Sequence, residues 1–255
     1  MAIEIVTIPC LQDNFCFLIH NTESQQTALI DASEAAPIQA VLDAKGWTLT
    51  DVLLTHHHWD HIDGLPALRD RDTPRVIGAG VDAHRLPPLD LEVAEGDHFE
   101  TCGIPTQVID VSGHTIGHIA FYMPQIKAAF TADSLMALGC GRLTEGTPDM
   151  MWPSLMKLRA LPDDTAIYSA HEYSASNAAF AITLEPKNAA LISRIDADAD
   201  SRAKNKPTVP NPLSLEKATN PFLRADDPAF RAAVDMETHT PLEVFAAIRA
   251  RKDVF

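Results

Sequence analysis

The sequence predicts a mixed α/β body followed by a smaller helical C-terminal part. Two observations carry this. Up to about residue 172, short apolar strand-like segments are separated by turns, with helical patterns between some of them. From Ser174 onward the chain becomes rich in Ala, Leu, Arg, Lys and Glu at helical spacing. Strands dominate the first part, which favours sheets covered by helices over a helical bundle. A length of 255 residues, 46% of them apolar and 22% charged, gives a globular composition with ample core.

The strands are expected at Glu4–Ile8, Phe15–His20, Ala28–Ile30, Val52–Thr55, Arg75–Gly78, Thr106–Val111, Ile119–Tyr122, Ala128–Phe130 and Ala166–Ser169. Each is a short run of apolar or β-branched residues closed by a turn signal. Ala36–Lys45 and Ser154–Ala160 carry helical periodicity between them. Asn177–Thr183, Lys187–Lys204, Pro228–Ala233 and Pro241–Arg251 are the helices of the C-terminal part. The connector Lys206-Pro207-Thr208-Val209-Pro210-Asn211-Pro212 separates two of them, because proline cannot continue a helix. The boundary is set between residues 172 and 173, giving domains 1–172 and 173–255. No internal repeat or low-complexity segment is evident.

A net charge of −15 argues against nucleic acid and against anionic lipid as partners, since both call for a basic footprint. No apolar run is long enough to span a bilayer, and the opening Met1-Ala2-Ile3-Glu4-Ile5-Val6 carries no presequence pattern. Cys10, Cys16, Cys102 and Cys140 are scattered without a CxxC pair, which suits reduced thiols in a cytoplasm. A cytoplasmic location is expected.

One six-residue stretch carries the strongest signal, His56-His57-His58-Trp59-Asp60-His61, entered directly from Val52-Leu53-Leu54-Thr55, with four groups that can bind a metal at i, i+2, i+4 and i+5. Imidazole and carboxylate are ligands for a zinc-like or iron-like ion. On extended backbone i and i+2 point the same way, so His56 and His58 can reach one ion together. Asp60 and His61 follow after the chain has begun to turn and face another point. The cluster therefore suggests two adjacent ions. An expression tag is the ordinary alternative, but a tag lies at a terminus and this cluster is internal.

Two ions need more ligands, and three further strand ends supply candidates: His114 in Val111-Ser112-Gly113-His114-Thr115, Asp133 after Ala128–Ala132, and His171 after Ala166–Ala170. Each alone admits an ordinary reading, a helix cap for Asp133 or a turn histidine for the others.

The stretch from Thr55 to Gly64, with Gly113-His114-Thr115, Thr131-Ala132-Asp133 and Ala170-His171-Glu172-Tyr173, resembles the metallo-β-lactamase-fold superfamily. Gly139-Cys140-Gly141-Arg142, Glu145-Gly146, Lys217-Ala218-Thr219-Asn220-Pro221-Phe222-Leu223-Arg224 and the ending Arg249-Ala250-Arg251-Lys252-Asp253 narrow the resemblance to the glyoxalase II, or hydroxyacylglutathione hydrolase, family. This resemblance implies an αββα four-layer sandwich with a helical domain that completes the substrate site. It implies that His56, His58 and His114 hold one divalent ion, that Asp60, His61 and His171 hold a second, and that Asp133 bridges them. Zinc is expected, with iron and manganese accepted by the same donors. His57 matches a position that is not a ligand, and its side chain is expected to point away.

The implied reaction is hydrolysis of S-D-lactoylglutathione and related 2-hydroxyacyl thioesters to D-lactate and glutathione, the second step of methylglyoxal detoxification. A hydroxide shared by two metal ions is the implied nucleophile, with Asp60 and Asp133 as the catalytic carboxylates. Arg142, Tyr173, Arg249 and Lys252 are the implied glutathione contacts; without the resemblance, Arg249 and Lys252 read as a solvated helix face. Cys140, between two glycines, reads as a packing residue. Two positions depart from the family. Thr144 replaces a frequent hydroxylated aromatic, so one glutathione contact is shortened or lost, and Asp63 replaces a small residue beside the metal loop. Persulfide dioxygenases, which use one iron, share the fold but do not need the second ligand set and lack the Asn220–Arg224 tail. Lactonases, β-lactamases and nucleases of the fold, and a non-enzymatic metal-binding module, are the remaining alternatives.

Overall fold

The structure, a computed structural model, describes residues 2–255; Met1, the first residue of the expected catalytic domain, lies outside them. Two compact units emerge. One comprises the chain up to Asp110 together with Gly117–Thr131, the other Val111–Ile116 together with Ala132–Phe255.

The first unit is built on a six-stranded sheet in sequential order: β1 (Ile3–Cys10), β2 (Asn14–Asn21), β3 (Gln26–Ile30), β4 (Leu49–Leu53), β5 (Arg75–Ala79) and β6 (Leu91–Val93). The first three are antiparallel, and β3 to β6 are parallel. Parallel strands need crossovers, which is why α1 (Ala35–Lys45) lies between β3 and β4, and α2 (Trp59–Ile62) and α3 (Leu65–Asp72) between β4 and β5. Every residue of β2 is buried, so its alternating side chains serve two faces. Leu18 joins Leu29, Val52 and Val76 against Ile38 and Leu42 of α1 and Leu68 of α3. Full burial of each such side chain contributes about 1.5–3 kcal/mol. Phe17 packs on Phe130, ring centroids 5.7 Å apart. Phe130 belongs to the antiparallel run β7 (His98–Thr101), β8 (Ile104–Asp110), β9 (Ile119–Met123) and β10 (Ala128–Ala132).

The main body of the second unit begins with the last residue of β10. A two-stranded hairpin follows, β11 (Leu135–Met136) and β12 (Gly139–Cys140), then α4 (Pro148–Arg159) and β13 (Ala166–Ser169). Next come α5 (Ser174–Leu184), α6 (Ala189–Ala203), β14 (Asn211–Pro212), α7 (Leu213–Thr219), α8 (Pro228–Ala233) and α9 (Pro241–Asp253). Leu138 of the hairpin turn packs with Ala178, Ala181 and Leu191 of α5 and α6. Thr240 and Glu243 close a capping box on α9, worth on the order of 1 kcal/mol.

The expected elements occur, with shifted ends and several omissions. β4 stops at Leu53 instead of Thr55. Leu54 and Thr55 are tied instead through Leu54 N–H to the Ile77 carbonyl at 2.8 Å and Thr55 N–H to Asp31 Oδ1 at 2.8 Å. α4 begins at Pro148 rather than Ser154 and passes through Pro153, which forgoes one backbone hydrogen bond without ending the helix. α2, α3 and α7 are additional to the expected helices; at four, eight and seven residues they show little period, and none opens on the Asp-Pro pair that starts the six-residue α8. Among the described residues no helix is long and apolar enough to cross a membrane, and the four cysteines are free and buried.

Candidate metal centre

In the first unit one carboxylate fixes two imidazoles. Asp31 follows β3 in a left-handed conformation, φ 55°, a strain of the kind that concentrates at functional sites. Its Oδ1 accepts Thr55 N–H, and its Oδ2 accepts Thr55 Oγ1–H at 2.9 Å and His61 Nδ1–H at 2.8 Å. The Thr55 hydroxyl has thus spent its proton and accepts from His56 Nδ1, 3.0 Å away. Both rings therefore carry their proton on Nδ1 and turn Nε2, with its lone pair, outward. His58, on extended backbone at φ −60° and ψ 143°, brings Nδ1 to 3.1 Å from His56 Nε2. Tetrahedral Zn–N bonds of about 2.0–2.1 Å put two ligand nitrogens roughly 3.3 Å apart, so the pair is spaced for one cation. His61 stacks obliquely on His56, centroids 4.1 Å apart, and its Nε2 is 3.7 Å from Asp60 Oδ2. Asn14 Nδ2 donates to Asp60 Oδ2 at 3.0 Å and aims that carboxylate. His57 turns to Asp82, Nδ1 to Oδ2 3.0 Å.

Asp31→Asn is expected to weaken metal binding about 10–100-fold, the usual cost of losing a partner behind a ligand. The amide can accept on one side only, which frees His56 and His61 to take the wrong tautomer. Chelator competition measures this, and unchanged affinity would refute the role of Asp31.

In the second unit the remaining donors meet around one carboxylate. Ala132, at φ 41°, delivers Asp133. Asp133 Oδ2 lies 3.3 Å from His114 Nε2, and its Oδ1 lies 3.3 Å from His171 Nε2. Each oxygen thus sits at ligand-to-ligand spacing from a different imidazole. His114 donates Nδ1–H to the Arg142 carbonyl at 2.6 Å, which leaves Nε2 as the donor toward a metal. His171 stacks on Tyr173, rings 5° from parallel and centroids 4.8 Å apart. The imidazole and carboxylate sets of both units fit zinc, iron or manganese.

Asp133 and His114 open onto a cavity of about 480 Å³ that Arg142, Tyr173, Arg249 and Lys252 also line. Arg142 is exposed, its side chain 67% accessible, with Nε 3.5 Å from Asp253. Arg249 is buried; it donates to the Cys140 carbonyl at 2.9 Å, pairs with Asp253 at 3.0 Å and lies over the Phe222 ring. Lys252 donates to the Ser176 carbonyl at 2.9 Å. Burial, and secondarily the Arg249 charge, hold Lys252 below the usual lysine range, so an anion in this cavity would be welcomed by both. Burial pushes the Cys140 thiol up to about 11, which keeps it neutral at physiological pH and unsuited to nucleophilic attack. Thr144 hydrogen-bonds the His114 carbonyl through both N–H and hydroxyl, and Asp63 is exposed.

Asp31, Thr55 and Asn14 are site residues that sequence reasoning does not single out. Asp31 follows an apolar strand, the same signal that picks out Asp133.

Residues 12–171 match the family model described as metallo-beta-lactamase superfamily, and residues 172–255 match the one described as hydroxyacylglutathione hydrolase C-terminus. The structure is similar to that of ETHE1 from Myxococcus xanthus, at 23% identity and TM-score 0.67, covering 98% of this chain and 90% of that one. It is also similar to TTHA1623 in a di-iron-bound form, at 25% identity and TM-score 0.62, covering 86% and 100%. Fold and donors together define an α/β protein of the metallo-β-lactamase fold, the αββα class that the resemblance implies. A hydroxyacylglutathione hydrolase of Ruegeria pomeroyi is 63% identical over 255 residues, the whole of both chains. The chain belongs to the hydroxyacylglutathione hydrolase family.

Proposed function

We propose that this enzyme hydrolyses S-D-lactoylglutathione, and related 2-hydroxyacyl thioesters, to D-lactate and glutathione with two zinc ions per chain. His56, His58 and His114 would hold one ion and Asp60, His61 and His171 the other, with Asp133 placed to serve both. The observation that carries this is Asp133, whose two oxygens each stand 3.3 Å from a different imidazole nitrogen, at a cavity that also holds Arg142, Arg249 and Lys252. When bound, the ions supply a water acidified towards neutrality.

The chain's own groups do the rest. Asp60, aimed by Asn14, takes the proton at a carboxylate oxygen as water adds to the thioester carbonyl. The C–S bond breaks, the lactic acid formed keeps the water oxygen and loses its proton to solvent, and glutathione leaves as its thiolate, which takes up the proton held by Asp60. Arg142, Arg249 and Lys252 grip the glutathione carboxylates, a task for which guanidinium and ammonium are suited, and the Tyr173 hydroxyl adds a contact. Residues 1–172 carry the chemistry, and 173–255 complete the glutathione site that Arg142 begins, in a cytoplasmic monomer.

Arg249→Ala and Lys252→Ala are expected to raise KM for the glutathione thioester more than they lower kcat. Lys252→Ala is the cleaner of the two, because Arg249 also supports the Cys140 carbonyl. Steady-state kinetics decide, and an unchanged KM in both variants would sink the assignment. Rates on S-D-lactoylglutathione, a lactone and a β-lactam test the substrate class; the thioester should be the one cleaved, and preference for either of the others would overturn it.

A further inference from the structure

The hairpin that follows Asp133 has a turn inside the protein. Met136, Ala137, Leu138 and Cys140 are all buried, and Leu138 is left-handed at φ 58°. Turns usually lie at the surface, where water satisfies their backbone groups. A buried turn needs partners from the protein, and here three side chains supply them. Asn220 Nδ2 reaches the Met136 carbonyl at 3.1 Å and the Gly139 carbonyl at 2.9 Å. Asn177 Nδ2 donates to the Ala137 carbonyl at 3.0 Å. Glu216 Oε2 accepts Leu138 N–H at 3.0 Å.

That clamp is itself anchored. Glu216 pairs through Oε1 with Arg194, 2.5 Å away and equally buried, and Arg194 donates to Thr219 Oγ1 at 2.8 Å. The other end of the hairpin is the metal-binding set. Gly141 N–H donates to the Ser134 carbonyl at 3.1 Å. A Cβ at Gly141 would stand 2.0 Å from the Asp133 carbonyl oxygen, so the two backbones touch. One residue on, the Arg142 carbonyl accepts from His114. A shift of the turn is thereby passed to Asp133 and His114 together.

We propose that Asn220, Asn177 and Glu216 are positioning residues, which set the Asp133 carboxylate and the His114 ring for metal through the hairpin spanning Ser134 to Gly141. This rests on the reading of Asp133 as a metal ligand. It gives the Asn220 motif a task other than substrate contact: the C-terminal helices hold the metal ligands in register.

Zinc titration of the metal-free full-length chain against a chromophoric chelator tests this, alongside thermal melts. Asn220→Ala and Asn177→Ala are expected to bind zinc roughly 10–100-fold more weakly than the wild type. Leu42→Ala, a core truncation in α1 remote in sequence from the hairpin, is expected to lower the melting temperature and leave zinc affinity unchanged. Wild-type affinity in the folded Asn variants overturns the proposal, as does an equal loss in Leu42→Ala. Asn177→Ala removes a single hydrogen bond and decides alone where Asn220→Ala does not fold. A wild-type chain that takes up no zinc overturns the metal reading itself, which separates that failure from failure of the clamp.

Discussion

Asp133→Asn is expected to lower kcat/KM for S-D-lactoylglutathione by well over about 100-fold, more than the loss of a residue behind a ligand usually costs. The substitution keeps the shape and removes the function. One oxygen becomes an NH2 group, which has no lone pair for a cation and points a proton at an imidazole Nε2 that lies 3.3 Å from it in the wild type. The negative charge that two cations would share is lost as well. Metal content should therefore fall with the rate. Measurement of both on one preparation checks this, and full metal content at the wild-type rate would refute a bridging role.

Gly141→Ala is expected to destabilise the chain by about 3 kcal/mol or more, since added volume in a packed interior that cannot yield is costly. For a chain of this size that lowers Tm by roughly 6–12 °C. The contact to be relieved is with backbone, the Asp133 carbonyl oxygen at 2.0 Å, and His114 Cβ at 3.1 Å closes the other side. Relief must move the very segment that carries the ligand, so metal affinity should fall too. Gly46 offers the comparison. It caps α1 at φ 69°, and a methyl group added there would meet nothing within 4 Å. Gly46→Ala should therefore cost only left-handed strain, roughly 1–2 kcal/mol. A calorimetric scan of both variants decides, and equal losses would contradict the packing argument.

Much of the architecture is legible in the sequence because its signals are local. β2 declares itself through the apolar run Phe15-Cys16-Phe17-Leu18-Ile19, and α9 by its Thr240 cap, Pro241 and periodic core residues Val244, Phe245 and Ile248. The seven proposed metal donors can be read because they follow strand ends or lie in one short cluster. The supports behind them cannot. Asp31 serves His61 across 30 positions and Glu216 serves Leu138 across 78, and no local pattern records such pairings. Arg249 shows the same limit from the other direction. An Arg on a terminal helix reads as solvated, yet it is buried against Cys140, a partner 109 positions away. The hairpin β11–β12 is invisible because two-residue strands carry no period.

Metal content measured together with S-D-lactoylglutathione hydrolysis on one purified sample decides whether the protein works as a two-ion thioesterase. Two divalent ions per chain are predicted, with thioester cleavage that chelation abolishes and zinc restores. A single iron per chain with oxygen uptake on a glutathione persulfide, or an uncleaved thioester at full metal loading, would contradict it.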